Sequence, residues 1–170
     1  MAEPDHPRVR IGRGASGVIV QPVGACTAVM CDAIRMFVDR LCPADAEDLL
    51  IDLSRADSLD STFAGMLLAM ARPTADADLT ARLHLLNPSS PACEALRRMR
   101  VLGLFDVRQD GSADATEWTE LPRDVSPESV ERLRALIIDA HERLIAADPR
   151  NADVFRPVVD TFRRNRPTAP

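Results

Sequence analysis

The sequence predicts an α/β domain with a mixed β-sheet of four to five strands and helices, followed by a C-terminal helical extension. Short aliphatic and β-branched runs alternate with segments whose apolar residues recur every three or four positions, which is typical of strand–helix units. Of the 170 residues 46% are hydrophobic but only 4% are aromatic, which favours an aliphatic α/β core over an all-β sandwich. We therefore divide the chain into a flexible N-terminus (1–14), the α/β domain (15–121) and a helical hairpin extension (122–170).

Two strand–helix pairs are predicted in the first half of the domain. Residues 17–24 form a β-branched run bounded by glycines, which predicts a strand, and the apolar residues of 27–41 have helical spacing. Residues 48–54 are apolar at nearly every position, as in a central strand covered on both faces. A polar loop (55–60) then leads to a second helix over 61–71.

The second half of the domain repeats this pattern. A strand over 81–87 precedes a proline-rich segment, in which Pro91 suits the first turn of a helix. Gly103 is the expected C-cap of that helix. A short strand over 104–107 and an edge strand over 116–121 complete the predicted sheet.

The C-terminal extension contains two predicted amphipathic helices. Ser126-Pro127-Glu128 combines a hydroxyl N-cap, a proline at the first position and an acid in the first turn, which predicts a helix start. The first apolar face consists of Val130, Leu133, Ile137, Ala140 and Leu144, and the second of Val154, Phe155, Val158, Val159 and Phe162. We expect these faces to be buried against the domain or against a second protomer, so a homodimer through these helices is one alternative.

Charge and composition argue against several classes of function. The formal net charge is −5, whereas nucleic-acid binders concentrate positive charge on one surface, so we expect no direct nucleic-acid binding. No apolar run approaches the roughly 18 residues of a membrane-spanning helix, and the polar first ten residues lack the features of a signal peptide. We expect a cytoplasmic protein without membrane insertion.

The cysteines and histidines do not indicate a metal site. The four cysteines (26, 31, 42 and 93) form no Cys-x-x-Cys pair, and the three histidines are widely separated, whereas a metal ion needs converging ligands. We expect buried, reduced thiols instead. Without a glycine-rich phosphate loop or an evident set of nucleophile, base and acid, we expect no cofactor and no enzymatic activity.

The segment between Ile51 and Gly65 is the most informative for function. A strand ends, a loop turns, and a helix begins at Asp60-Ser61-Thr62. Asp60 or Ser61 could serve simply as the N-cap of this helix. The functional alternative is a modification site, because a helix N-terminus tolerates the roughly two negative charges that phosphorylation of Ser61 would add. The same charge would repel an acidic or apolar partner from that helix.

This segment resembles the core motif of the STAS domain, the fold of bacterial anti-sigma factor antagonists. The matching residues are Asp52-Leu53-Ser54, Leu59, Asp60, Ser61 and Thr62, followed by the strand 83–89 and the segment 96–105. The similarity spans about residues 15–108. Two positions depart from the family pattern: Phe63-Ala64-Gly65 stands where many antagonists have Gly-Leu-Gly, and Gly24 is followed by Ala25-Cys26 where they often have an acid.

The resemblance implies an anti-sigma factor antagonist that binds an anti-sigma factor/serine kinase and is switched off by phosphorylation at Ser61. It also implies that the partner meets the exposed face of the helix that follows Ser61, where the expected contact residues are Asp60, Ser61, Thr62, Phe63, Ala64 and Gly65. Phe63 could be a core anchor or an exposed partner contact. Two other functions remain open: a STAS scaffold or subunit of a transporter or signalling assembly that is not phosphorylated, and a small-molecule-binding module.

Overall fold

The computed structural model describes residues 6–15, 17–41, 48–71, 82–109, 113, 115 and 117–165. In this part of the chain the strands are β1 (Arg8–Gly14), β2 (Gly17–Cys26), β3 (Asp48–Asp52), β4 (Ala56–Leu59), β5 (Arg82–Leu86), β6 (Asp106–Arg108) and β7 (Trp118–Glu120). The helices are α1 (Ala28–Val38), α2 (Ser61–Ala71), α3 (Ser90–Arg98), α4 (Pro127–Ala147) and α5 (Ala152–Arg164). The predicted mixed α/β fold with a helical extension is confirmed, with seven strands in place of four to five.

The seven strands form one mixed sheet in the order β6-β5-β3-β2-β1-β7, with β4 paired to the end of β2. Strands β2, β3, β5 and β6 run parallel, whereas β1 is antiparallel to both β2 and β7. The prediction of a central strand at 48–54 is confirmed, because β3 lies between β2 and β5 and is buried from Leu49 to Asp52. The edge strand predicted over 116–121 corresponds to β7, although Thr116 lies outside the described residues.

Three local predictions are wrong. The N-terminus predicted as flexible is a strand over residues 8–14, because Val9 enters the core and β1 pairs along its whole length with β2. Part of the polar loop forms β4, whose Ala56 and Leu59 are buried. Gly103 is not the C-cap of α3, since that helix ends at Arg98 and Arg100 takes the left-handed conformation with φ of 59°.

The main core lies on one face of the sheet, beneath the helices. It combines alternate strand residues with side chains from all five helices; the strand residues include Val18, Val20, Leu49, Ile51, Leu83 and Leu85. On the opposite face Ile19, Leu50 and Leu86 form a smaller cluster against Trp118. This arrangement gives the sheet one helix-covered apolar face and one face with more polar side chains.

The C-terminal helices pack on the domain, as one of the two predicted alternatives required. Ala140, Leu144 and Phe155 are buried, and both Leu144 and Phe155 belong to the main core. The prediction is wrong for Val130 on the first turn of α4 and for Val154 of α5, which are 67% and 61% exposed. Phe162 is half-buried. Among the helices described, none is both long and apolar enough to span a membrane.

Candidate functional site at the start of helix α2

Asp60 holds together the first turns of two helices. Its Oδ1 accepts a hydrogen bond from the Phe63 N–H at 2.7 Å, and its Oδ2 accepts one from the Ala28 N–H at 2.9 Å. These amides belong to the first turns of α2 and α1, whose positive dipole ends favour a carboxylate. Of the two predicted N-caps Asp60 is therefore the one used, and its side chain has a structural role between α1 and α2.

Ser61 is the first residue of α2 and is half-buried. Its Oγ lies 2.9 Å from Nε2 of His141, which comes from α4. Nδ1 of the same ring lies 2.7 Å from the carbonyl oxygen of Ile137, which can only accept a hydrogen bond. Nδ1 therefore carries a proton, so in the neutral imidazole Nε2 accepts a hydrogen bond and the Ser61 hydroxyl donates it.

His141 is held in this position by its surroundings. Its side chain is 3% exposed, and its ring packs against Phe155 of α5 with the two centroids 5.2 Å apart. The bond to Ile137 fixes the tautomer, and the contact with Phe155 fixes the ring plane. The hydroxyl of Ser61 thus joins the domain to the C-terminal helices through an oriented histidine.

The face of α2 that follows Ser61 is covered by α4. Thr62, Phe63, Ala64 and Gly65 are all buried, so the predicted exposed partner surface at these residues is wrong for this arrangement of the helices. Phe63 is fully buried, so of the two alternatives for this residue the core anchor is correct. A Cβ placed on Gly65 would lie 2.3 Å from the carbonyl oxygen of Ala140. The absence of a side chain at Gly65 is therefore what lets the backbones of α2 and α4 touch.

An ion pair joins the N-terminal half of α4 to α1. Nε and Nη2 of Arg132 donate to Oδ1 and Oδ2 of Asp32, both at 2.9 Å, and Nη2 also donates to Asp124 at 2.6 Å. Asp32 is buried, and a two-pronged guanidinium–carboxylate contact is a strong and directional one. Asp32, followed by Asp124, raises the pKa of Arg132 above its ordinary value.

The turn between α4 and α5 is fixed by Asn151. This buried side chain donates from Nδ2 to the carbonyl oxygens of Met99 at 2.9 Å and Leu144 at 2.8 Å. The sequence did not single out His141, Arg132 or Asn151 as functional, because each meets a partner far away in the chain. The positions of these three residues in the sequence do not indicate which distant residues they contact.

Burial makes two cysteines close to this site, Cys26 and Cys31, unreactive. Burial, with Asp60 and Asp57 nearby, raises the pKa of the Cys26 thiol to about 12. Burial also raises the pKa of Cys31, with Asp60 as the next cause. Both thiols are buried as the sequence predicted, and because the thiolate is the nucleophilic form, both stay protonated and inert near neutral pH. Cys93 is half-buried, and Cys42 lies outside the described residues.

Polar contacts also cross the opposite face of the sheet. Nδ1 of His84 lies 2.5 Å from Asp106, and Nε2 lies 3.1 Å from Asp48. Nearby, Gln21 donates to the buried Asp52 at 2.5 Å. Within the described ranges, no group of three or more His, Cys, Asp or Glu side chains is placed to hold a metal ion. These contacts satisfy buried polar groups inside the sheet.

The comparisons with known proteins add no family to this geometry. No protein-family model matches the chain, and no curated protein matches it. Any assignment of function therefore depends on the residues and contacts described above.

Proposed function

We propose that this protein is an anti-sigma factor antagonist-like regulator of the STAS type, which binds an anti-sigma factor/serine kinase and is switched off by phosphorylation at Ser61. The observation that carries the proposal is the position of the Ser61 hydroxyl. It begins α2, is half-buried, and donates a hydrogen bond to His141 of another helix. Phosphorylation of this oxygen would therefore alter the contact between α2 of the domain and α4 of the C-terminal hairpin.

The electrostatics of the α2 N-terminus support a switch at this position. A phosphate there meets the positive end of the helix dipole, so the helix itself tolerates it. Asp60, however, already occupies the Phe63 and Ala28 amides, and it would lie next to the phosphate with the same sign of charge. The phosphate would therefore act on whatever protein surface faces Ser61.

The experiment compares phosphate incorporation and partner binding in three variants. Anti-sigma factor kinases encoded in the same genome are tested for transfer of phosphate to the chain, with Ser58→Ala as the control because Ser58 is exposed three residues earlier. We expect labelling of the wild type and of Ser58→Ala, and none of Ser61→Ala. In a binding assay Ser61→Ala should retain the partner, whereas Ser61→Asp should lose it. Equal binding by Ser61→Ala and Ser61→Asp would show that Ser61 is not a switch.

A scaffold function without phosphorylation is the second candidate, and one observation favours it. The face of α2 is already filled by α4, down to backbone contact at Gly65 and Ala140. An assembly subunit would then use another surface and leave Ser61 unmodified. Mass spectrometry of the native protein distinguishes the two: absence of phosphate at Ser61 together with a stably co-purifying subunit supports the scaffold.

A further inference from the structure

We propose that the C-terminal hairpin (α4 and α5, residues 127–164) is an internal competitor for the partner-binding surface formed by α1 and α2. In this proposal Ser61 and the face of α2 become accessible when the hairpin moves away. Phosphorylation and partner binding then both use the same open form. The identity of the partner and the kinase rests on the proposed function, whereas the shielding of Ser61 by the hairpin is an observation on this chain alone.

The contacts of α4 define what kind of partner fits this surface. Ala140 lies where Gly65 allows the helix backbones to touch, and Arg132 reaches the buried carboxylate of Asp32. These two residues are eight positions apart, about two turns of one helix face. We infer that the partner presents an amphipathic helix with a basic residue about two turns before a small residue, and that it replaces α4 on the same contacts.

The hairpin is attached unevenly, which favours opening from one end. Ala140, His141 and Leu144 are buried, whereas no residue from 130 to 139 is. The N-terminal half of α4 reaches α1 through Arg132, and its apolar side chains are only partly covered. Loss of the Arg132–Asp32 contact would leave Asp32 buried without that partner in the closed form. The closed form would then be less stable relative to the form in which the whole hairpin has moved away, so the fraction of open molecules with an accessible Ser61 would rise.

This competition has a quantitative consequence. If only the open form binds, the apparent dissociation constant equals the intrinsic constant divided by the open fraction. A substitution in the hairpin that raises the open fraction must then raise partner affinity and the rate of Ser61 modification by the same factor. The substitution touches neither Ser61 nor the surface of α2.

Thiol labelling measures the cover without any knowledge of the kinase. We would place Ser61→Cys in the full chain with Cys42→Ser and Cys93→Ser, and measure the reaction of the introduced thiol with a maleimide-linked polyethylene glycol. The rate is normalised to that of the same thiol in the urea-unfolded chain. Cys26 and Cys31 remain as buried reference thiols, because they react only when the domain itself opens. Arg132→Ala is then added, with Arg163→Ala as its control, since the Arg163–Glu142 ion pair joins α4 and α5 within the hairpin.

We expect the introduced thiol to react far more slowly in the folded than in the unfolded chain, and Arg132→Ala to accelerate its reaction about tenfold or more through a larger open fraction. Arg163→Ala should leave the rate unchanged, and Cys26 should stay protected throughout. Asp32→Asn removes the same ion pair from the other side and should reproduce the effect if Arg132→Ala folds poorly.

Three results would show that the hairpin does not control access to Ser61. These are rapid labelling of the introduced thiol with the hairpin intact, no acceleration by either variant, or equal acceleration of the introduced thiol and Cys26. If the labelling rates change as expected but no kinase labels Ser61 and no partner binds, the proposed function is wrong, whereas the shielding of Ser61 by the hairpin is supported. If phosphorylation and binding occur but neither increases in Arg132→Ala, the internal competition is wrong and the proposed function stands.

Discussion

The two halves of α4 are held to the domain by different interactions. The C-terminal half is buried at Ala140, His141 and Leu144 and touches the α2 backbone at Gly65. In the N-terminal half Arg132 forms an ion pair with Asp32 of α1, Leu136 packs partly buried against the main core, and Val130 is exposed. The comparison indicates that full apolar burial fixes the C-terminal half, whereas the N-terminal half depends on an ion pair and on partly buried apolar side chains.

The largest effect is expected from Leu144→Ala in the apolar half. Leu144 is fully buried within the main core, and removal of such a side chain leaves a cavity, so we expect a loss of about 2–5 kcal/mol in the free energy of unfolding. The control is Val154→Ala, because Val154 is a 61%-exposed residue of the same hairpin and should change stability by less than about 0.5 kcal/mol. Chemical denaturation measures both. Equal effects would contradict the assignment of the C-terminal half as core.

Gly65→Ala tests the closest contact between α2 and α4. The added methyl group would lie 2.3 Å from the Ala140 carbonyl oxygen, so the helices must separate, and overpacking of this kind costs about 1–3 kcal/mol. Gly103→Ala is the matched control, because nothing lies within 4 Å of a Cβ there. If both variants melt at the wild-type temperature, the two backbones do not touch as described.

Leu133→Asp measures the weaker, N-terminal half. Leu133 is half-buried, so we expect a loss of roughly 1 kcal/mol, about half the value for complete burial of a leucine. Val130→Asp adds the same charge at a 67%-exposed position and should leave stability unchanged. A loss for Leu133→Asp as large as for Leu144→Ala would remove the difference between the halves, and an unchanged melting temperature and mass would show that Leu133 contributes nothing to packing.

Acid titration gives the smallest effect and tests the polar ends of α4. The Ser126 backbone N–H, followed by Arg132, lowers the pKa of Asp124, and Arg150 lowers the pKa of Asp148 to about 2. A carboxylate with a lowered folded-state pKa adds stability above its unfolded pKa of about 4, and loses that contribution as pH falls toward the folded value. We expect a small fall in stability between about pH 4 and pH 2, which the double variant Asp124→Asn/Asp148→Asn should reduce. An identical pH profile for the double variant would show that Asp124 and Asp148 do not contribute to the loss of stability in acid.

Several elements were predictable because their signals are local. The helix 61–71 matches α2 at both ends, since a cap residue and an apolar run define it. Strand β3 was predictable as a central strand from its unbroken apolar run. By contrast, β1 and β4 were missed because β1 carries three arginines and only one buried residue, and β4 is only four residues long. Both are stabilised by pairing with β2, which sequence patterns do not encode.

For the candidate site the division is similar. Asp60 and Ser61 were found because the start of a helix has a recognisable chemistry. His141 was not, because the contact joins residues 80 positions apart. The expectation of an exposed helix face after Ser61 was wrong because a pattern on α2 does not reveal that a later helix covers it, and for Phe63 the sequence left burial and exposure open.

By itself the sequence determined the fold class, the position of helix α2 and the serine at its first residue. These follow from backbone hydrogen bonding and from the burial of apolar side chains, which act between residues that are near in the chain. The tertiary structure alone decided that α4 lies on α2, that Gly65 meets Ala140, and that the Ser61 hydroxyl faces a histidine. Such contacts depend on which surfaces fit each other in space, and that fit is set by the packing of the whole domain.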